Sequence, residues 1–224
     1  MNTAVWKTAD EVISAMNRVY GHMALAVITS MVVSWIVSSS PSLMSFFFTG
    51  AMQYIVIFAP LVAIFAIGFK MHTVSYNTAQ LMLHGFAALM GLSFATIFVI
   101  YTTASIVTAF MGAAVLFGTM SLYGYFTKKD LTSIGQFMFV GLIAIIIASI
   151  VNIFIGSTAM QMAISAIAII VFLGLTAYDT QKIREIVSVG GDTRSQEVAG
   201  ALTLYLDFIN LFIALLQLFG GRRD

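Results

Sequence analysis

With 60% hydrophobic and only 8% charged residues among 224, the chain departs from soluble domains, in which about 25% of residues are charged. This is the composition of a polytopic membrane protein, whose first partner is the lipid bilayer. The net charge of +1 says nothing about partners, no long basic run suggests nucleic acid, and the lack of cysteine excludes disulfides, thiolate metal sites and thiol catalysis.

Residues 1–21 form a polar N-terminal arm carrying Lys7, Asp10, Glu11 and Arg18. The apolar run at 23–37 approaches the length of a secretory signal, but the arm before it is long and partly acidic, so the run reads as an uncleaved first helix. Apolar runs suited to a bilayer, which takes ~20 residues, recur at 22–38, 51–69, 80–101, 105–126, 136–155, 159–178 and 198–219. Connections are short, such as 39–50 with its Pro41, and no linker divides the chain. The pattern predicts an all-α integral membrane protein, a single polytopic domain of seven transmembrane helices. Pro60, in the middle of the second run, lacks the N–H that bonds the carbonyl four residues back, so it predicts a kink or a freed carbonyl. Ala87 and Gly91 in the third run let backbones approach closely.

Orientation follows from Lys and Arg. Lys7, Arg18, Lys70, Lys128, Lys129, Lys182, Arg184 and Arg194 all fall on one side of a seven-span topology, and the segments between runs one and two, three and four, and five and six hold none. The positive-inside rule therefore predicts a cytoplasmic N-terminus, with residues near 41, 101 and 156 extracytoplasmic. Arg222 and Arg223 run against the rule if the last segment crosses fully, so that segment either crosses or re-enters.

The last run is the one with a carboxylate inside it. At helical spacing Gly200, Thr203, Asp207, Asn210, Ala214 and Gln217 fall on one narrow stripe of an otherwise apolar helix. An ionised Asp facing lipid costs on the order of 3 kcal/mol, so this seam predicts a central helix with the others around it. Asp179 closes the sixth run on a similar stripe of Gln161, Ser165, Ala168, Phe172 and Thr176. Two carboxyls in contact at low dielectric share one proton, and a pair so joined forms a pH-sensitive latch between two helices. Spacing alone leaves a second reading open, in which Asp179 pairs with Lys182 or Arg184 and Asp207 is a protonated or hydrogen-bonded core residue.

Three stretches carry a resemblance. They are Ser121-Leu-Tyr-Gly-Tyr-Phe-Thr-Lys-Lys-Asp-Leu131, Gly174-Leu-Thr-Ala-Tyr-Asp-Thr-Gln-Lys-Ile183 and Gly200-Ala-Leu-Thr-Leu-Tyr-Leu-Asp-Phe-Ile-Asn-Leu-Phe212. They resemble the bacterial branch of the Bax inhibitor-1, or transmembrane Bax inhibitor motif, family. The resemblance implies two three-helix layers around a central C-terminal helix in a bacterial cytoplasmic (inner) membrane. It also implies a pH-sensitive calcium leak whose latch carries over to Asp179 and Asp207, with Thr176, Thr203 and Asn210 on the seam around it. Calcium is then the permeant ion, and no cofactor is implied. Where family members can carry an Arg that pairs with the first aspartate, the candidate here is Lys70, a point charge without the bidentate fork. Runs one to five hold no acid, so an ion route there depends on Asn152, on Ser and Thr and on backbone carbonyls, and the sequence names no metal-ligand set.

Two other classes compete. An intramembrane aspartyl protease also needs paired carboxyls, and Tyr178-Asp179 matches half of its signature. However, Leu204-Tyr205-Leu206 precedes Asp207 where that family has Gly-x-Gly, and no proline follows Pro60. Metal catalysis finds no second ligand at useful spacing from His22, His72 or His84. The chain is therefore expected not to be an enzyme. The remaining alternative is a non-transporting regulator that binds another membrane protein, such as a membrane-anchored quality-control protease.

Overall fold

The structure, a computed structural model, describes residues 6–71 and 73–223, and His72 lies outside them. Among the described residues the chain forms eight helices and no strand: α1 (Ala9–Ser38), α2 (Pro41–Phe48), α3 (Met52–Lys70), α4 (Tyr76–Ile100), α5 (Thr103–Phe126), α6 (Thr132–Ile155), α7 (Thr158–Ser188) and α8 (Arg194–Phe219). Six are long and apolar enough to cross a membrane, and α2 with α3, bent by 76°, supplies a seventh candidate if counted as one span.

The differences from the sequence reading have local causes. The connection at 39–50 contains helix α2: Ser40 caps it by accepting the Leu43 N–H, and Pro41 sits at the first turn, where a missing N–H costs nothing. Gly50, at φ 61°, then provides the backbone conformation that separates α2 from α3. Much of the N-terminal arm is helical and continuous with the first span, started by a capping box in which Thr8 and Glu11 satisfy each other's backbone N–H. Helix α7 runs ten residues past 178, to Ser188, so Asp179 lies well inside it.

The chain divides into two compact units. Among the described residues, the first comprises those from 6 to 101, 186–205 and 223. Here α1 packs along α4, and a Cβ on Gly91 would sit 2.5 Å from the Ser30 carbonyl oxygen, so only glycine lets the two backbones approach this closely. Helix α3 continues through Pro60. The carbonyl freed four residues back, on Val56, accepts the Ser93 hydroxyl of α4 at 2.7 Å, which satisfies in trans what the proline removed. Tyr205 is fully buried, with its hydroxyl 2.6 Å from Ser30 Oγ and its ring edge-on to Phe86.

The second unit comprises residues 102–185 and 206–222. Phe208 meets Phe110 and Phe117 edge to face, the arrangement that the ring quadrupoles favour. Gly124 lies directly against the Ala177 backbone, where a Cβ would overlap the carbonyl. The α5–α6 loop is fastened to α7 by Gln181, which accepts the Leu131 N–H and donates to the Lys129 carbonyl, both at 2.9 Å. Helix α6 turns Ile146, Ile147, Ile150, Ile153 and Phe154 outward, as a lipid-facing helix does.

Burial separates α8 from the rest. In an apolar 18-residue stretch of α8, 78% of the residues are buried, against 11–33% in the other five long spans. The helix with the carboxylate is thus the one whose surface is covered by protein, as the cost of exposing Asp207 to lipid requires.

Candidate functional site

The site is built where α7 and α8 meet inside the second unit. Asp207 is buried on α8, and Asp179 is half-buried on α7. Their carboxyl groups lie close enough to act directly on one another. Two carboxylates offer only acceptors, so a hydrogen bond between them requires at least one shared proton. Asp207 Oδ2 is buried and meets no donor among the described residues.

The surroundings are mostly self-satisfied. Thr176, fully buried, donates to its own helix at the Phe172 carbonyl (2.7 Å), and Asn210 donates to the Leu206 carbonyl (2.8 Å). Thr203 belongs to the first unit and donates to the Ala199 carbonyl at 3.3 Å. All three bond along their own helices. Lys182, one turn beyond Asp179, acts on it electrostatically while its ammonium lies 5.6 Å from the centre of the Tyr178 ring. Arg184 donates to the Tyr125 carbonyl and lies over the Tyr125 ring. Lys70 is exposed at the end of α3, in the first unit. Among the described residues no three His, Asp or Glu side chains gather as a metal site.

A second buried carboxylate escapes a reading by apolar runs. Glu197, in the first turn of α8 and 1% exposed, receives both Nε (2.7 Å) and Nη2 (2.8 Å) of Arg18 from α1. Thr193 donates to the same carboxylate at 3.2 Å and accepts the Lys7 ammonium at 2.5 Å. The Lys7 N–H bonds the Ser188 carbonyl, and Trp6 pairs with Val189. The arm is therefore fastened to the turn between the two aspartate-bearing helices. The signal available in the sequence was an acid beside an apolar run, with a basic arm elsewhere on the same predicted side.

Comparison with known proteins now bears on the whole chain. The family model described as "Inhibitor of apoptosis-promoting Bax1" matches residues 12–224. The chain belongs to the Bax inhibitor-1 family. It is 40% identical over 214 residues to the "Inner membrane protein YbhL" of Escherichia coli strain K12, covering 93% of this chain and 92% of that protein. It is 42% identical to an uncharacterized protein of Rickettsia prowazekii, covering 97% of this chain and 94% of the relative. A protein of Caulobacter vibrioides is 39% identical over 92% of this chain and 88% of its own length. Together with the apolar helices, these family relatives support a multi-pass protein of a bacterial inner membrane.

Proposed function

We propose that the protein is a pH-sensitive calcium leak in which Asp179 and Asp207 form the latch between α7 and α8. The observation that carries this reading is the juxtaposition of the two carboxyls, with Asp207 buried on the helix that has the largest buried share among the six long spans. One shared proton holds the contact. Removing it leaves two like charges at low dielectric, which repel; protonating both replaces a charge-assisted hydrogen bond by a weaker neutral one. Either change loosens α7 from α8. In this reading the pair works as a latch and catalyses nothing, calcium is the permeant ion, and Lys70 is a candidate partner of Asp179 in one of the two states.

The same reading arranges the helices as two three-helix layers around a central α8 and places the N-terminus in the cytoplasm, supported by the one-sided distribution of Lys and Arg. Single cysteines near Pro41, Tyr101 and Gly156 are expected to label from outside intact cells, and one near Asp192 to stay protected. The leak itself is tested by calcium entry into liposomes carrying only the purified protein. Entry above that of empty liposomes is the expected result. Its absence across the pH range would leave the protein a regulator of another membrane protein.

A further inference from the structure

The α7–α8 seam has a second end. From the aspartates, the α7 stripe runs back through Thr176, Phe172 and Ala168 to Ser165 and Gln161, while the α8 stripe runs on through Asn210 and Ala214 to Gln217. At that far end the side chains bond across helices. Gln217 Oε1 accepts Gln161 Nε2 at 2.9 Å and Ser165 Oγ at 3.1 Å. Gln161 Oε1 in turn accepts Asn152 Nδ2 of α6 at 3.3 Å, and the buried Asn152 accepts the Ser157 N–H at 3.1 Å. Three helices of the second unit are thus joined by amides and one hydroxyl, and every amide oxygen in the cluster has a donor.

We propose that this cluster is a second closure of the seam, at the end opposite the carboxyl pair, and that Gln217 is its keystone. A closure of this kind presupposes the leak proposed above and divides its labour. The carboxyl pair answers to protons, whereas Asn152, Gln161, Ser165 and Gln217 carry no ionisable group and hold regardless of pH. Gln217 is the keystone because its one oxygen takes both α7 donors, so losing it removes both bonds between α7 and α8 and leaves the Gln161 amide only the Ser165 hydroxyl, at 3.5 Å. Ser165 already has an alternative acceptor, the Gln161 carbonyl at 2.9 Å, so the cluster can open without stranding its hydroxyl. Opening would also present three oxygens, on Gln217, Gln161 and Ser165, as the neutral ligands that a dehydrating cation takes in place of water.

The test uses a single cysteine, since the chain has none of its own. Ala168 lies on the α7 stripe between the two ends and is buried, so Ala168→Cys is expected to react slowly with a membrane-impermeant maleimide applied to either face of oriented vesicles. Adding Gln217→Leu is expected to speed labelling from the Gln217 face by about fivefold, the change that a net loss of one hydrogen bond of ordinary strength makes to an equilibrium, since Ser165 falls back on the Gln161 carbonyl. Gln217→Asn, which keeps the amide on a shorter stem, should fall between. Unchanged labelling in both variants, with thermal stability retained, overturns the closure whether or not the protein carries calcium. In the flux assay Gln217→Leu is expected to raise the basal leak and leave its pH response in place. A response abolished by Gln217→Leu would overturn the division of labour, while absence of flux in every protein would count against the leak and leave the labelling result to decide the closure.

Discussion

Arg18→Ala is the substitution whose cost can be worked most directly from contacts. It deletes both hydrogen bonds to a Glu197 that is only 1% exposed, and leaves that carboxylate with Thr193 and, more remotely, Lys7. Removing one partner of a fully buried ion pair costs about 3–5 kcal/mol. Arg18 itself is 48% exposed, so water already screens its side of the pair, and Thr193 keeps one bond to the carboxylate. The expected loss is therefore about 2–3 kcal/mol, between the buried and surface limits. Unfolding of the purified protein in detergent measures it. Glu197→Gln combined with Arg18→Ala removes the stranded charge, so the double variant should lose less than the sum of the two single losses. A loss under about 0.5 kcal/mol for Arg18→Ala, the range of ordinary surface changes, would refute the reasoning, as would strict additivity.

Ser93→Ala should cost about 1 kcal/mol by stranding the Val56 carbonyl, and less in a Pro60→Ala background, where a restored N–H takes that carbonyl back; equal losses in both backgrounds would show that Ser93 does not serve the proline. Gly124→Ala should destabilise by about 1–3 kcal/mol, since its methyl meets the Ala177 backbone rather than a movable side chain. Gly118→Ala on the same helix meets nothing and should gain up to about 1 kcal/mol from helix propensity, so a similar unfolding shift for both would contradict the packing.

The aspartate pair was legible because a charge is rare in an apolar run: Asp207 interrupts 198–219, and helical spacing puts Asp179 on a matching stripe. Glu197 was not, because it lies one residue before that run, where an acid ordinarily meets water, and only folding brings Arg18 to it across 179 positions. Helix α2 was hidden for a different reason. Pro41 reads as a break in a connection, yet after an N-cap serine it is a favourable first residue of a helix. The consequence of Pro60 was foreseen as a kink or a free carbonyl, but the choice depended on whether a donor stood opposite, and Ser93 is supplied by another helix. Thr176, Thr203 and Asn210 were placed on the seam by spacing alone, which cannot tell a side chain that bonds to its own backbone from one that bonds to its neighbour.

The central claim is that one coupled carboxyl pair sets the pH response of a calcium leak. The measurement that tests it most directly is calcium flux into liposomes across a pH range for the wild type, Asp179→Asn, Asp207→Asn and the double variant. Each single substitution should flatten the pH dependence and the double should add little, because members of one coupled unit are not additive. A pH response that survives in the double variant would contradict it.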